Sequence, residues 1–174
     1  MLRRNFLFLT AFSVATPAFA LYDPEPVGEI WLLEGEWHGT LTYNDYSSPG
    51  KLVTLKTQLF AALSSPSELV LHYVYDDGPG KTVYSYERMT FQPGGKAIVL
   101  ASGGPKRSET TYAVVSNTRD GDMRKVIFED AVGTGTNRFT LEFDPQTFVQ
   151  KHEEIEGAAA PVFRNEYKFR RAGT

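Results

Sequence analysis

The chain has 174 residues and a formal net charge of −3, from 18 basic and 21 acidic side chains with no basic cluster, which argues against a nucleic-acid partner. It holds no cysteine, which excludes disulfides, thiol catalysis, thiolate metal sites and a lipid-modified N-terminal cysteine. A chain of this size suits one domain with a hydrophobic core of its own.

The first twenty residues, MLRRNFLFLTAFSVATPAFA, run from a basic start (Arg3, Arg4) through an apolar stretch to small residues at Ala18 and Ala20. That order reads as a secretory signal cleaved near Ala20, with residues 21–174 as the mature, periplasmic or secreted domain. RRNFL is also similar to the twin-arginine export signature. Leu2 and Phe8 depart from that pattern, so the general secretory route is the first expectation. No later segment is long and apolar enough to span a membrane as a helix, and no stable membrane insertion is expected.

Pro24 and Pro26 keep the start of the mature chain out of a strand, and EIWLL then allows one short turn of helix. From Gly35 onward the chain reads as strand. Ten segments rich in Val, Thr, Tyr and Phe are expected near 36–44, 51–61, 68–76, 81–92, 96–102, 108–117, 123–130, 136–144, 147–156 and 162–171. Between them lie SSPG, SSPS, DDGPG, PGG, SGGP, TRDGD, VGTG, DPQ and GAAAP. Short links without a helical period imply antiparallel pairing of neighbours.

The alternation names the faces. Trp37, Gly39, Leu41 and Tyr43 share one side of the first strand, and Val53, Leu55 and Leu59 share one side of the second. Phe163, Tyr167 and Phe169 oppose Arg164, Glu166, Lys168 and Arg170 on the last. One apolar face per strand fits a sheet curled round its own core. The expected fold is all-β: an antiparallel up-and-down barrel of about 8–10 strands after a short helical turn. A two-sheet sandwich is the alternative.

In LEGEWHGTLTYNDY, Gly35-Glu36-Trp37 after the helical turn resembles the G-x-W signature of lipocalins and their calycin relatives. The resemblance implies a tryptophan closing one barrel end beneath an arginine of the last strand, for which Arg170 is the first candidate and Arg171 the second. A flat indole can plug a barrel end, and small residues at Gly35 and Gly39 let neighbouring backbone come close. The ten-strand count is also that of fatty-acid-binding proteins, although NDYSSPGK is a turn where they carry a helical lid. Gly35-x-Trp37-x-Gly39 is similar as well to the start of the haem-binding nitrobindin barrels, in which a histidine near the C-terminal end holds haem. His152 is the matching position. No cofactor is assigned, because Leu41, Tyr43, Asp45 and Tyr46 replace the glycines and Tyr-Pro that continue that pattern.

Chemistry-bearing motifs are scarce. There is no G-x-S-x-G nucleophile elbow, and GGPKRS and DDGPGK lack the closing G-K-[ST] of a phosphate loop. His38 and His72 sit opposite their apolar neighbours and read as solvent-facing. His152 shares a face with Gln150 and Glu154, too few ligands on one strand for a metal site. The strand tyrosines say more. In YSYERMTF, Tyr84, Tyr86 and Arg88 share one face while Val83, Ser85, Glu87 and Met89 share the other, so polar atoms point inward whichever face is inside. Aromatic walls with a few polar groups suit a small-molecule cavity. The candidate ligand-contacting residues are Tyr43, Tyr73, Tyr75, Tyr86, Arg88, Tyr112 and His152. The expected partner is a small, largely apolar molecule. A barrel enzyme of the isomerase or hydrolase kind and an envelope module with a filled core are the alternatives.

Overall fold

A computed structural model describes residues 29–45, 47–48, 50–103, 107–132 and 134–173. The expected secretory leader lies outside the described residues. Ten antiparallel strands form one closed barrel: β1 (Gly35–Asn44), β2 (Leu52–Ser65), β3 (Glu68–Asp76), β4 (Thr82–Phe91), β5 (Ala97–Gly103), β6 (Ser108–Asp120), β7 (Met123–Val132), β8 (Gly135–Phe143), β9 (Thr147–Glu156) and β10 (Val162–Arg171). Each strand pairs with the next, and β10 returns to β1, so the sheet closes on itself and has no edge strand. Two 3-10 turns, Ile30–Leu33 and Pro93–Gly95, complete the described elements. The first is the helical turn expected of EIWLL. The sandwich alternative is excluded by the β1–β10 pairing, in which Trp37 faces Arg171 and Tyr43 faces Asn165. Among the described residues no helix is long and apolar enough to cross a membrane.

Period-two alternation decides which side chains enter the barrel. β3 shows it most cleanly: Leu69, Leu71, Tyr73 and Tyr75 are buried, and the residues between them are not. β4 contributes Met89 and Phe91, β7 contributes Val126 and Phe128, and the β8–β9 hairpin contributes Leu141, Phe143 and Phe148. These large side chains gather towards one end of the barrel and fill it. Towards the other end the inward positions become Tyr, Ser, Thr, Asn, His and Glu, and the filling thins.

The filled end is sealed by the N-terminal segment. Ile30 and Leu33 of the 3-10 turn are buried beneath it, and the fully buried Trp37 donates its Nε1–H to the Leu33 carbonyl at 2.8 Å. Arg171 stands over the indole, its guanidinium carbon 4.2 Å from the ring centroid. Its nitrogens donate to the carbonyls of Pro145 at 2.6 Å and Glu34 at 2.8 Å, and also to that of Leu32. The arginine over the tryptophan is therefore Arg171 and not the first candidate, Arg170. Residues 170 and 171 point to opposite faces of β10, and Arg170 lies outside, donating to Thr147 Oγ1 at 2.9 Å. On the far side of the same end, the Glu29 carboxylate accepts from Arg119 at 2.6 Å and Arg124 at 3.1 Å. Arg124, followed by burial and the Arg119 charge, sets its titration, and the net effect lowers its pKa.

Both framing glycines are required by their surroundings. A Cβ on Gly39 would lie 1.9 Å from the Lys168 carbonyl oxygen, because β1 and β10 pass each other in direct backbone contact there. Gly35 has φ +131°, a conformation that side chains disfavour.

Trp37→Ala should lower stability by about 3–5 kcal/mol, the range for large aromatic truncations in a core, read as a shift in the urea midpoint. Gly39→Ala should be worse despite adding one methyl, because the atom it meets is backbone. Recovery of soluble, folded Gly39→Ala with a wild-type midpoint would refute the close β1–β10 approach.

Candidate functional site

The end opposite Trp37 is open. A cavity of about 320 Å³ lies in its mouth, walled by Leu41, Tyr43, Leu55, Val83, Asn165 and Tyr167, with Tyr75 on its floor. The hydroxyls of Tyr75 and Tyr167 bond each other across the lumen at 2.9 Å. Tyr73, fully buried below them, packs against Tyr167 at a centroid distance of 4.9 Å and parallel to Tyr75 at 6.1 Å. These rings are carried by β3 and β10, where alternation brings every second residue inward.

Beneath the mouth the interior carries polar atoms without partners. Glu87 Oε2, the Tyr73 hydroxyl and Gln150 Oε1 are shut off from solvent and take part in no hydrogen bond. Buried polar groups are almost always paired, so three such atoms in one lumen mark a place where something else can bond. Burial alone pushes the Glu87 carboxyl above its usual 4.5. Burial is also the main reason the hydroxyls of Tyr73, Tyr75, Tyr112 and Tyr167 titrate above the ordinary tyrosine value. The Glu87 charge pushes all four in the same direction.

The opposite wall is formed by β8–β10. His152 lies flat on Phe139, with centroids 4.3 Å apart and planes within 3°, and its Nε2 shares a 3.2 Å hydrogen bond with Asn137 Oδ1. Burial, the largest influence, lowers its pKa below 6.5. Beside it Glu154 pairs with Arg164, which occupies an irregularity in β10 between Phe163 and Asn165. An imidazole covered by Phe139 and bonded through Nε2 does not fit an axial haem ligand that uses that nitrogen. Among the described residues no group of three His, Asp or Glu side chains is gathered for a metal.

Two larger hollows lie in the wall rather than the lumen. One of about 660 Å³ runs along β1–β3, past outward His38, Lys56, Gln58 and Asp76, and reaches the buried Thr57 and Tyr75 between them. The other, about 600 Å³, opens where β4–β5 pairing stops at Tyr86 and Gly103 while β4 continues. It joins outward Arg88, Arg107 and Glu109 to inward Glu87, Ser102 and Ser108. Part of Glu87 is thus reached from the side, while its Oε2 stays enclosed.

Of the residues singled out in the sequence, Tyr43, Tyr73, Tyr75, Tyr112 and His152 face the lumen. Tyr112 meets Phe128 and Phe139 edge-on at 5.6 and 5.1 Å. Tyr86 and Arg88 do not belong with them. Tyr86 is 50% exposed and stacks on His72 at 4.2 Å on the outer surface, and Arg88 is outside, 4.0 Å from Glu68. The parity of β4 is set by Met89 and Phe91, which enter the core and carry Glu87, Ser85 and Val83 inward with them. His38 is exposed and bonds Glu36, as expected of a solvent-facing histidine. His72 is also on the outer face, but half-covered by its stacked neighbours. Glu87, Gln150 and Tyr167 were not picked out as candidates. The signal for Glu87 was present, two residues before Met89 on the face that Phe91 continues.

No family model matches this chain, and no curated protein matches it. Among solved structures, an S-type phycobiliprotein lyase from Guillardia theta superposes with a TM-score of 0.55 at 8% sequence identity, over 84% of this chain and 92% of that one. At that identity the likeness shows the barrel fold alone.

Because the folded state raises the pKa of Glu87, this residue's contribution to stability is complete below about pH 4.5. It is lost as the pH rises through the higher folded value, where unfolding releases the carboxylate into water. Glu87→Gln should therefore be more stable than wild type near pH 8, with the difference shrinking towards about pH 4. A thermal-melting difference that stays constant across this range would show that the carboxyl is solvated.

Proposed function

We propose that this protein is an exported binding protein of calycin type, which holds a small, largely apolar molecule in the open end of its barrel. The observation that carries the reading is the mouth cavity of about 320 Å³ with its tyrosine floor. That volume is at the lower limit for small-molecule sites, and its lining combines apolar and aromatic walls with few polar groups. A filled-core envelope module would have no use for partnerless polar atoms, each of which costs about 1–3 kcal/mol when left unbonded. Export rests on the leader-like residues 1–20, and the calycin reading on Gly35-x-Trp37 beneath Arg171.

Catalysis in the same chamber is the second reading. It is favoured by a carboxyl raised and a histidine lowered in pKa within one lumen. The solved neighbour carries the name of a lyase, although a shared fold does not transfer an activity. Glu87 and His152 stand on opposite walls, on β4 and β9, and the hydrogen bond of His152 runs to Asn137 instead. Binding therefore has the stronger geometric support.

A neutral reporter dye, N-phenyl-1-naphthylamine, should bind one-to-one with micromolar affinity, about −8 kcal/mol. Tyr75→Ala should weaken it roughly tenfold, Tyr75→Phe much less, and Tyr86→Ala on the outer surface not at all. Equal losses from Tyr75→Ala and Tyr86→Ala would place the dye on the surface. Absence of binding by the stable wild-type protein would end the carrier reading.

Export has its own test. Expressed in full in a Gram-negative host, the protein should be recovered from the periplasm beginning at Leu21, and deletion of residues 1–20 should keep it in the cytoplasm. Arg3→Lys with Arg4→Lys should still be exported. Complete retention of that double variant would assign the twin-arginine route.

A further inference from the structure

Glu87, Gln150 and Tyr73 reach the lumen from β4, β9 and β3, and the unbonded atoms they present are a carboxylate oxygen, an amide oxygen and a hydroxyl. With Glu87 ionised, two of the three can only accept hydrogen bonds, and the third can do so. A ligand head that only accepts, such as a carboxylate or phosphate, would leave these oxygens unpaired and set its own charge against Glu87. A head that donates would satisfy them. A primary ammonium carries three N–H donors and no acceptor, which is the complement of this set.

The surrounding rings select in the same direction. Tyr73, Tyr75 and Tyr167 pack as a ring cluster in the same lumen, and aromatic faces attract cations. A nitrogen cation on a carboxylate makes a hydrogen bond roughly twice as strong as a neutral pair. The part-exposed carboxylates Glu154 and Glu29 have counterions: Arg164 for the first, Arg119 and Arg124 for the second. Among the described residues no cation pairs with Glu87, and burial raises its pKa.

We propose that Glu87 is the anchor for a protonated amine and that the ligand is an amphipathic primary amine. Its cationic head lies on Glu87, beside Tyr73 of the adjacent strand β3, and its apolar body lies along the tyrosines towards the mouth. Glu87 sits four residues along β4 from Val83 in the mouth wall, about 13 Å at the rise of a strand, so the body spans that depth. The assignment rests on the binding reading above and narrows its ligand class. It sets fatty acids aside in favour of molecules with the opposite head charge.

The test uses three probes with one apolar body: 2-(2-naphthyl)ethylamine, 2-(2-naphthyl)ethanol and 2-naphthylacetic acid. Each is titrated calorimetrically into the full mature protein near neutral pH, where an aliphatic amine is protonated. The amine should bind at least tenfold more tightly than the alcohol, and the acid most weakly. In Glu87→Gln the advantage of the amine over the alcohol should disappear. If all three bind wild type equally, or the acid binds best, the amine anchor is overturned and the binding reading stands. If none binds and N-phenyl-1-naphthylamine does not either, the binding reading fails and takes the anchor with it. The wild-type ranking decides the question without any variant, so it does not depend on the folding of Glu87→Gln.

Discussion

The contact between Trp37 and Arg171 joins the start of the first strand to the end of the last, and the rest of the barrel is arranged around it. The indole fills the centre of one end, and the guanidinium covers it while tying three carbonyls of the incoming chain and the β8–β9 turn. An arginine can do this because its planar group stacks on the ring with one surface and donates at its rim. A lysine would supply the charge but not the fork. With this end dry and tightly packed, the other end is free to carry side chains that contribute little to stability.

That division is visible in the chemistry of the inward positions. Towards Trp37 they are Leu, Phe, Met, Val and Ile, and towards the mouth they are Tyr, Ser, Asn, His and Glu. A protein made only to be stable would replace Glu87 with leucine. Keeping a carboxyl with no counterion in the middle of ten strands is a local loss that the sealed end offsets. Functional sites characteristically depart from packing rules in this way.

The strands and their order were legible because Gly, Pro, Asn and Asp punctuate runs whose alternation is uninterrupted. β3 and β9 fall at the expected residues, whereas β2 runs four residues past its expected end, since Ala62, Leu63, Ser64 and Ser65 still pair or border pairing with β3. Which face turned inward was harder. In β4, Tyr86 and Arg88 looked like ligand contacts on residue type, but parity follows the largest apolar residues, and Met89 and Phe91 outweighed them. Arg170 and Arg171 differ by one position, and one position is a change of face. Gln150 and Glu154 share the face of His152, and all three point inward, so a polar run on a strand does not by itself mark the outer side. Polar residues inside a barrel break the rule that sequence reading relies on, so the site was the least legible part of the chain.

The closure of β1 on β10 has a further consequence for how this chain reaches its folded state. Every other strand pair joins neighbours in sequence and can form as soon as both are made. The final pair links Trp37 with Arg171, so almost the whole domain must be in place before the ends meet. Contacts of such long sequence separation are slow, because the chain surrenders the entropy of a very large loop before the contact rewards it. Until then the curved sheet has two bare edges, each able to pair with another copy. The time the chain spends in that state is governed by the last ten residues of the barrel, and a cut that removes β10 would leave nine strands and an open sheet.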